Sequence, residues 1–264
     1  MIPQAYIIEW QQIVPWKVQE QVEQDLIISR ALVAIYSSDF LRERLAFRGG
    51  TALHKLFLQP QARYSEDIDL VQILAESVGN TIDVLREVLE FMGKPILKQK
   101  ANNTTLIFKF ETENEPKIIL KLKVEINCRE HFTVFGLQDL PFEVDSPWFK
   151  GKANIVTFSL EELLSTKLRA LYQRRKGRDL FDLWCALEQK QIDIDKVILS
   201  WQAYMKAEGN HISRSDFINN LETKLKDLDF KGDVFGLLRP EIEKRYTIDK
   251  AYQIVHDKIL GRLL

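Results

Sequence analysis

Asp67 and Asp69 stand one residue apart in the stretch Arg63-Tyr64-Ser65-Glu66-Asp67-Ile68-Asp69-Leu70-Val71. Side chains alternate faces along an extended strand, so both carboxylates point one way while Ile68 and Leu70 point into a core. Two carboxylates on one surface repel each other unless a cation neutralises them. Hard divalent cations take oxygen ligands from one or two carboxylates together with substrate phosphates. The pair is therefore a candidate metal platform.

Just upstream, Phe47-Arg48-Gly49-Gly50-Thr51-Ala52-Leu53-His54-Lys55-Leu56-Phe57 follows the apolar Leu45 and Ala46 with a glycine turn. Thr51 then begins a helix-like run whose Leu53, Leu56 and Phe57 share a face. First-turn N–H groups lack partners and the helix dipole favours an anion, so such a turn attracts phosphate. Glycine keeps a Cβ out of the way. A lone Gly-Gly-Thr usually marks a simple turn and a lone Asp-x-Asp a solvated strand face. In this order they supply a phosphate cradle followed by a metal platform, which is what in-line attack on a nucleoside triphosphate requires.

These two segments, Phe47 to Leu53 and Arg63 to Leu70, resemble the signature of the AbiEii/AbiGii toxin family, a branch of the DNA polymerase β-like nucleotidyltransferases. The resemblance implies an α/β (α+β) fold, a nucleotidyltransferase-type mixed sheet with flanking helices followed by a helical C-terminal region. It implies Mg²⁺ or Mn²⁺ on Asp67 and Asp69, and a nucleoside triphosphate held at Gly49, Gly50 and Thr51. The toxin half of a toxin–antitoxin or phage-defence pair is the expected role, with tRNA 3′ ends as acceptor and a separately encoded antitoxin as partner.

In enzymes of that superfamily a third acid on a later strand binds a second metal or takes a proton from the attacking hydroxyl. Ile119 to Asn127 alternates, with Leu120, Leu122, Val124 and Ile126 on one face and Lys121, Lys123, Glu125 and Asn127 on the other. Glu125 is the candidate third acid and metal ligand. By the same resemblance Lys123, two residues before it, is a nucleotide contact. Without the upstream aspartates this would be an ordinary Lys/Glu strand face.

From Lys167 through Arg178 there are six basic residues and no acidic one. Read from the residues alone, this is a helical hairpin with a basic elbow, Gly177 ending one helix and Asp179 and Asp182 lying in the first turn of the next. Lys167, Ala170, Arg174, Arg178, Asp179 and Asp182 also resemble the helical signature of AbiEii-type toxins. That resemblance makes Lys167 and Asp179 catalytic candidates and Arg178 a phosphate contact. Arg174, Arg175 and Lys176 are the candidates for polynucleotide binding.

Helical spacing runs from Trp16 to Leu45, with Glu20, Glu23, Asp25 and Arg30 expected on a solvated face, and again from Ala75 to Met92, closed by Gly93. Strands are expected over 104–110 and 117–127, joined by a polar turn over 111–116. His131 to Gly151 resembles a connection between regions. From Ser159, with Glu162 in a capping box, the chain is helical to the end, including 197–205, 217–228 and 248–263. The expected domains are a catalytic one over 1–155 and a helical one over 156–264 closing its cleft.

At 264 residues the chain can bury a proper core. A formal net charge of −1 excludes a global basic field, so any nucleic-acid surface is a local patch. Cys128 and Cys185 are too far apart for a Cys-x-x-Cys zinc site. The four histidines lack metal-ligand spacing, and His54 is expected on a helix surface. With no membrane-length apolar run, the protein is expected to be cytoplasmic. The alternatives to RNA nucleotidyl transfer are nucleotidylation or phosphorylation of a protein hydroxyl, and a catalytically inactive protein that binds RNA or a partner.

Overall fold

Leu45-Ala46-Phe47 is apolar on both faces, and a strand of that kind must be covered on both sides. It opens β1 (Leu45–Arg48), and all three side chains are fully buried. In the computed structural model, which describes residues 2–14, 16–113 and 116–263, β1 lies in the first of two compact units. One unit is Met1–Leu56 with Arg63–Phe158, and the other is Phe57–Ala62 with Ser159–Leu264.

The first unit opens with α1 (Gln4–Gln11), α2 (Gln19–Tyr36) and α3 (Asp39–Arg42). After β1 the chain turns through α4 (Gly49–Ala52), which continues as a π-helical turn over Leu53–Phe57. Then come β2 (Ile68–Gln72), α5 (Gly79–Val88), β3 (Ile96–Lys100), β4 (Asn103–Glu111), β5 (Ile119–Asn127), β6 (Leu137–Asp145) and β7 (Lys150–Phe158). They form one mixed sheet in the order β3-β4-β5-β2-β1-β7-β6. β2 is antiparallel to β1 and parallel to β5, which places the Asp-x-Asp strand centrally.

The stretch expected to be a connection, 131–151, instead contains most of a hairpin, β6 with β7, which extends the sheet through parallel pairing of Phe47 with Thr157. Pro141 disguised it. β6 is an edge strand, where a missing N–H is tolerated. Of the polar turn over 111–116, Asn114 and Glu115 lie outside the described residues.

The charges of α2 depart from expectation most. Glu23 and Asp25 are buried, not solvated. Asp25 accepts hydrogen bonds from Trp10 Nε1 (3.1 Å) and from Lys55 Nζ at both carboxylate oxygens (3.0 Å each), and Lys55 also reaches Ser29 Oγ at 3.0 Å. Gln24 donates to the carbonyls of Glu66 (2.9 Å) and Lys121 (3.2 Å). Arg30 lies against aromatic faces, 4.0 Å from the Phe91 centroid and 4.7 Å from that of Trp148. This helix is polar where it grips the turn and strands of the sheet.

The second unit contains α6 (Leu160–Gln173), α7 (Gly177–Gln189), α8 (Ile194–Ala207), α9 (Arg214–Lys224), α10 (Leu228–Gly232), α11 (Pro240–Glu243) and α12 (Ile248–Lys258). Ser159 Oγ caps α6 by accepting the Glu162 N–H, while the Glu162 carboxylate takes the Tyr204 hydroxyl at 2.7 Å in the interior. Lys224 Nζ donates to the carbonyls of Leu171 (2.5 Å) and Tyr172 (2.6 Å), closing the C-terminus of α6. Gly177 begins α7 instead of ending α6. A Cβ there would lie 2.0 Å from the Phe230 carbonyl oxygen, so only glycine lets α10 approach.

Two outcomes are expected. Lys55→Met should cost about 3–5 kcal/mol in denaturant unfolding, because it strands a buried carboxylate, and the Asp25→Leu/Lys55→Met double variant should recover much of that. Burial raises the Glu23 carboxyl from 4.5 to about 7. The folded chain then binds more protons than the unfolded chain across this window, so its stability falls as pH rises through it. Glu23→Gln should stabilise the protein by on the order of 1–3 kcal/mol at pH 8 and lose that advantage towards pH 4.5.

Candidate active site

Register sets the first unit's site. Arg48 on β1 is paired with Asp69 on β2, and Asp69 with Glu125 on β5. Ile68, Leu70, Leu122, Val124 and Ile126 are buried, while Asp67, Asp69, Lys123 and Glu125 of the opposite parity are half-buried. Asp67 precedes β2 and lies beside Lys123, whose Nζ is 3.4 Å from Asp67 Oδ2. The structure thus brings Asp67, Asp69, Lys123 and Glu125 onto one face of two adjacent strands.

Burial raises the Asp67 carboxyl to about 6, with Lys123 pulling it down and Asp69 and Glu66 pushing it up. Lys123 does not remove the whole penalty, and Asp69 makes no ion pair among the described residues. A hard cation suits such a site. Among the described residues no three His, Cys, Asp or Glu side chains gather as a ready-made metal cage. Two carboxylates that leave further positions to phosphate and water match the way Mg²⁺ is usually held.

The glycine turn presses directly against these acids. Gly49 has φ +82°, and a Cβ on it would lie 2.1 Å from Asp69 Oδ2. A Cβ on Gly50 would lie 2.3 Å from Arg63 Nη2. The glycines therefore admit the protein's own Asp69 and Arg63, a role that the phosphate-cradle expectation did not include. Thr51 is buried, and its hydroxyl donates to the Asp67 carbonyl (2.5 Å) and lies 2.8 Å from Ser65 Oγ, tying the turn to the strand that follows. His54, expected on a surface, is fully buried within the π-helical turn.

Lys167, Arg174, Asp179 and Asp182 form a cluster within the second unit. Lys167 Nζ lies 3.3 Å from Asp179 and 2.9 Å from Asp182, and Arg174 grips Asp179 through Nε (2.6 Å) and Nη2 (2.8 Å). Both aspartates are fully buried. Burial alone would raise the Asp179 carboxyl, but Lys167 and Arg174 together outweigh it and hold it below the usual carboxylate range. Arg175 pairs with Asp227 (2.7 Å), Lys176 with Asp233 (3.3 Å), and the Arg178 N–H also donates to Asp233 (3.2 Å). Arg175 and Lys176 remain about half exposed.

Sequence reasoning assigned no role to Arg48, Arg63 or Glu130. Arg48 and Arg63 sit inside the quoted motifs. Glu130 is a loop residue, beyond the alternation of β5, and nothing in its sequence context marks it.

With this geometry in place, comparison with known proteins gives a consistent answer. The fold is that of solved nucleotidyltransferases. Over its whole length the chain is similar to MenT4, a nucleotidyltransferase toxin from Mycobacterium tuberculosis H37Rv (TM-score 0.64, 18% identity, 91% of that chain covered). It is also similar over 93% of its length to JHP933 from Helicobacter pylori (TM-score 0.53, 16% identity, 95% of that chain covered). No curated protein matches the sequence significantly. The family model for the nucleotidyl transferase AbiEii toxin of type IV toxin–antitoxin systems matches residues 30–253, and the chain belongs to that family. It is a nucleotidyltransferase enzyme, and its family implies an antitoxin partner. Among the described residues no helix is long and apolar enough to cross a membrane.

Gly49→Ala should abolish nucleotidyl transfer as fully as loss of Asp69, because the new methyl must displace that carboxylate. Gly93 has nearly the same φ, +81°, with nothing within 4 Å of where a methyl group would stand. Gly93→Ala should therefore cost about 1–3 kcal/mol of stability, through backbone strain alone, with transfer intact. Initial rates and thermal melts of the two variants, side by side, check this.

Proposed function

We propose that the first unit transfers a nucleoside monophosphate from a nucleoside triphosphate to the 3′ end of tRNA, as the toxin of a toxin–antitoxin pair with a role in phage defence. The observation that carries this reading is the register of β2 with β5, which puts Asp69 beside Glu125 on a half-open face next to the Gly49-Gly50 turn. Asp67 and Asp69 are the proposed ligands of Mg²⁺ or Mn²⁺. A divalent cation bound there would neutralise triphosphate charge and polarise the α-phosphate.

The chain's own groups do the rest. Backbone N–H groups of the Gly49, Gly50 and Thr51 turn would steady the β,γ-phosphates, and Lys123, already beside Asp67, would add a cation on that face. The acceptor hydroxyl oxygen attacks the α-phosphorus, the bond to the β-phosphate oxygen breaks, and pyrophosphate leaves. Glu125 is the proposed acceptor of the hydroxyl proton, or a further metal ligand. Lys167 and Asp179 act, in this reading, by fixing the α6–α7 turn, since each is engaged by the other and by Asp182 or Arg174. That turn presents Arg175, Lys176 and Arg178, with the outer part of Arg174, to a polynucleotide.

Transfer of label from each of the four α-labelled nucleotides into total cellular RNA, with Mg²⁺, tests the reading, and Asp69→Asn should reduce it by at least about a thousandfold. Label entering protein, or only from the γ position, would replace it with modification of a protein hydroxyl. Arg175→Gln/Lys176→Gln should raise the KM for tRNA about tenfold and leave the KM for nucleotide and the melting temperature unchanged, because these exposed ion pairs contribute little to stability. Equal loss for both substrates would remove the basic turn from acceptor binding.

A further inference from the structure

Arg48 is the cross-strand partner of Asp69. Cβ atoms of such partners lie about 4.5–5.5 Å apart, well within reach of a guanidinium. An arginine beside an unneutralised carboxylate ordinarily pairs with it. Arg48 does not. Its one ion pair among the described residues is to Glu130, with Nη1 2.5 Å from Oε2.

Glu130 is built to hold that position. Its side chain is 7% exposed, and a carboxylate so buried is stable only when paired. The segment around it is tied down on both sides. Asn127 Oδ1 accepts the N–H groups of Arg129 (3.0 Å) and Glu130 (2.9 Å), and His131 Nδ1 lies 2.8 Å from the Gln72 carbonyl oxygen at the end of β2. Arg129 Nη2, 3.8 Å from Glu130 Oε1, is a weaker second partner. Arg48 makes no other side-chain hydrogen bond among the described residues, so most of its five donors remain for an anion.

We propose that Glu130 is a positioning residue that holds the Arg48 guanidinium away from Asp69, keeping Asp69 open to a divalent cation and Arg48 available to the triphosphate. The inference rests on the metal-assisted transfer proposed above. Without the Glu130 charge, Arg48 swings to its register partner and occupies Asp69 as an internal competitor of the metal. The acidic face then loses its cation site and its phosphate contact in one movement.

The test is equilibrium binding of Mn²⁺ to the full chain, followed by its paramagnetic effect on water relaxation. Glu130→Gln should weaken Mn²⁺ binding about ten- to a hundredfold. The Arg48→Gln/Glu130→Gln double variant should bring it back to within about threefold of wild type, because the competitor is gone. A purely structural role for Glu130 predicts the opposite, a double variant as weak as Glu130→Gln or weaker, and that result overturns the proposal. Unchanged Mn²⁺ affinity in Glu130→Gln overturns it equally. Arg48→Gln alone should keep Mn²⁺ affinity within about threefold and weaken binding of an α,β-methylene nucleoside triphosphate about tenfold. This arm stands even if Glu130→Gln fails to fold, and unchanged nucleotide affinity in it overturns the proposal. Absence of Mn²⁺ binding by the wild-type chain would sink the metal site itself and this inference with it, whereas normal wild-type binding with unaffected variants sinks the inference alone.

Discussion

The first unit depends on one electrostatic constraint, that carboxylates on neighbouring strands must stay close without being neutralised by the protein itself. Asp67, Asp69 and Glu125 fall on one face because β2 and β5 are in parallel register. Repulsion there favours any rearrangement that separates the acids or brings a lysine or arginine onto them. Asp67 has accepted such a partner in Lys123, whereas Asp69 has not, and it presses against Gly49 where no side chain could stand. The positive φ of Gly49 and the closeness of the Asp69 carboxylate each favour glycine at that position.

Holding that arrangement needs rigid support beneath it, and α2 supplies this with buried polar groups. Gln24 links the Glu66 and Lys121 carbonyls, one just ahead of each acid-bearing segment, and so fixes the two relative to each other. Asp25 and Lys55 anchor the helical turn that follows the glycines. An apolar pair of the same volume would recover much of the stability that breaking the ion pair costs. It would also let the turn slide, since apolar contacts are non-directional while a bidentate ion pair is satisfied in one geometry.

Much of the candidate site's placement was legible because its signals are local. Alternation placed Ile68 and Leu70 inward with Asp67 and Asp69 opposite, and did the same for Glu125 and Lys123, and the burial pattern follows it. What was not legible depended on distant partners. Glu23 and Asp25 look like a solvated helix face until Lys55, thirty residues on from Asp25, arrives to pair with one of them. Gly50 looks like a gap left for a ligand until Arg63 fills it. The β6–β7 hairpin was hidden because Pro141 and Pro147 mark turns in most contexts, and only edge position makes the first compatible with a strand. Gly177 resembled a helix stop because the Phe230 carbonyl that requires it lies more than fifty residues away.

Asp69 on the sheet and the Asp179–Asp182 pair of the α6–α7 turn occupy opposite electrostatic regimes. Asp179 and Asp182 are fully buried and saturated by Lys167 and Arg174, so binding an external cation would first require breaking ion pairs whose loss leaves buried charge behind. Asp69 is half-buried and, among the described residues, has no ion pair to break. A group that must exchange ligands during turnover needs the second condition, and a group that must hold a turn rigid needs the first. Resemblance to a family motif does not distinguish them, because both sets appear in it as aspartates at fixed spacing. The state of pairing does, and it is the ground on which we propose transfer chemistry for the sheet and a scaffolding role for the α6–α7 turn.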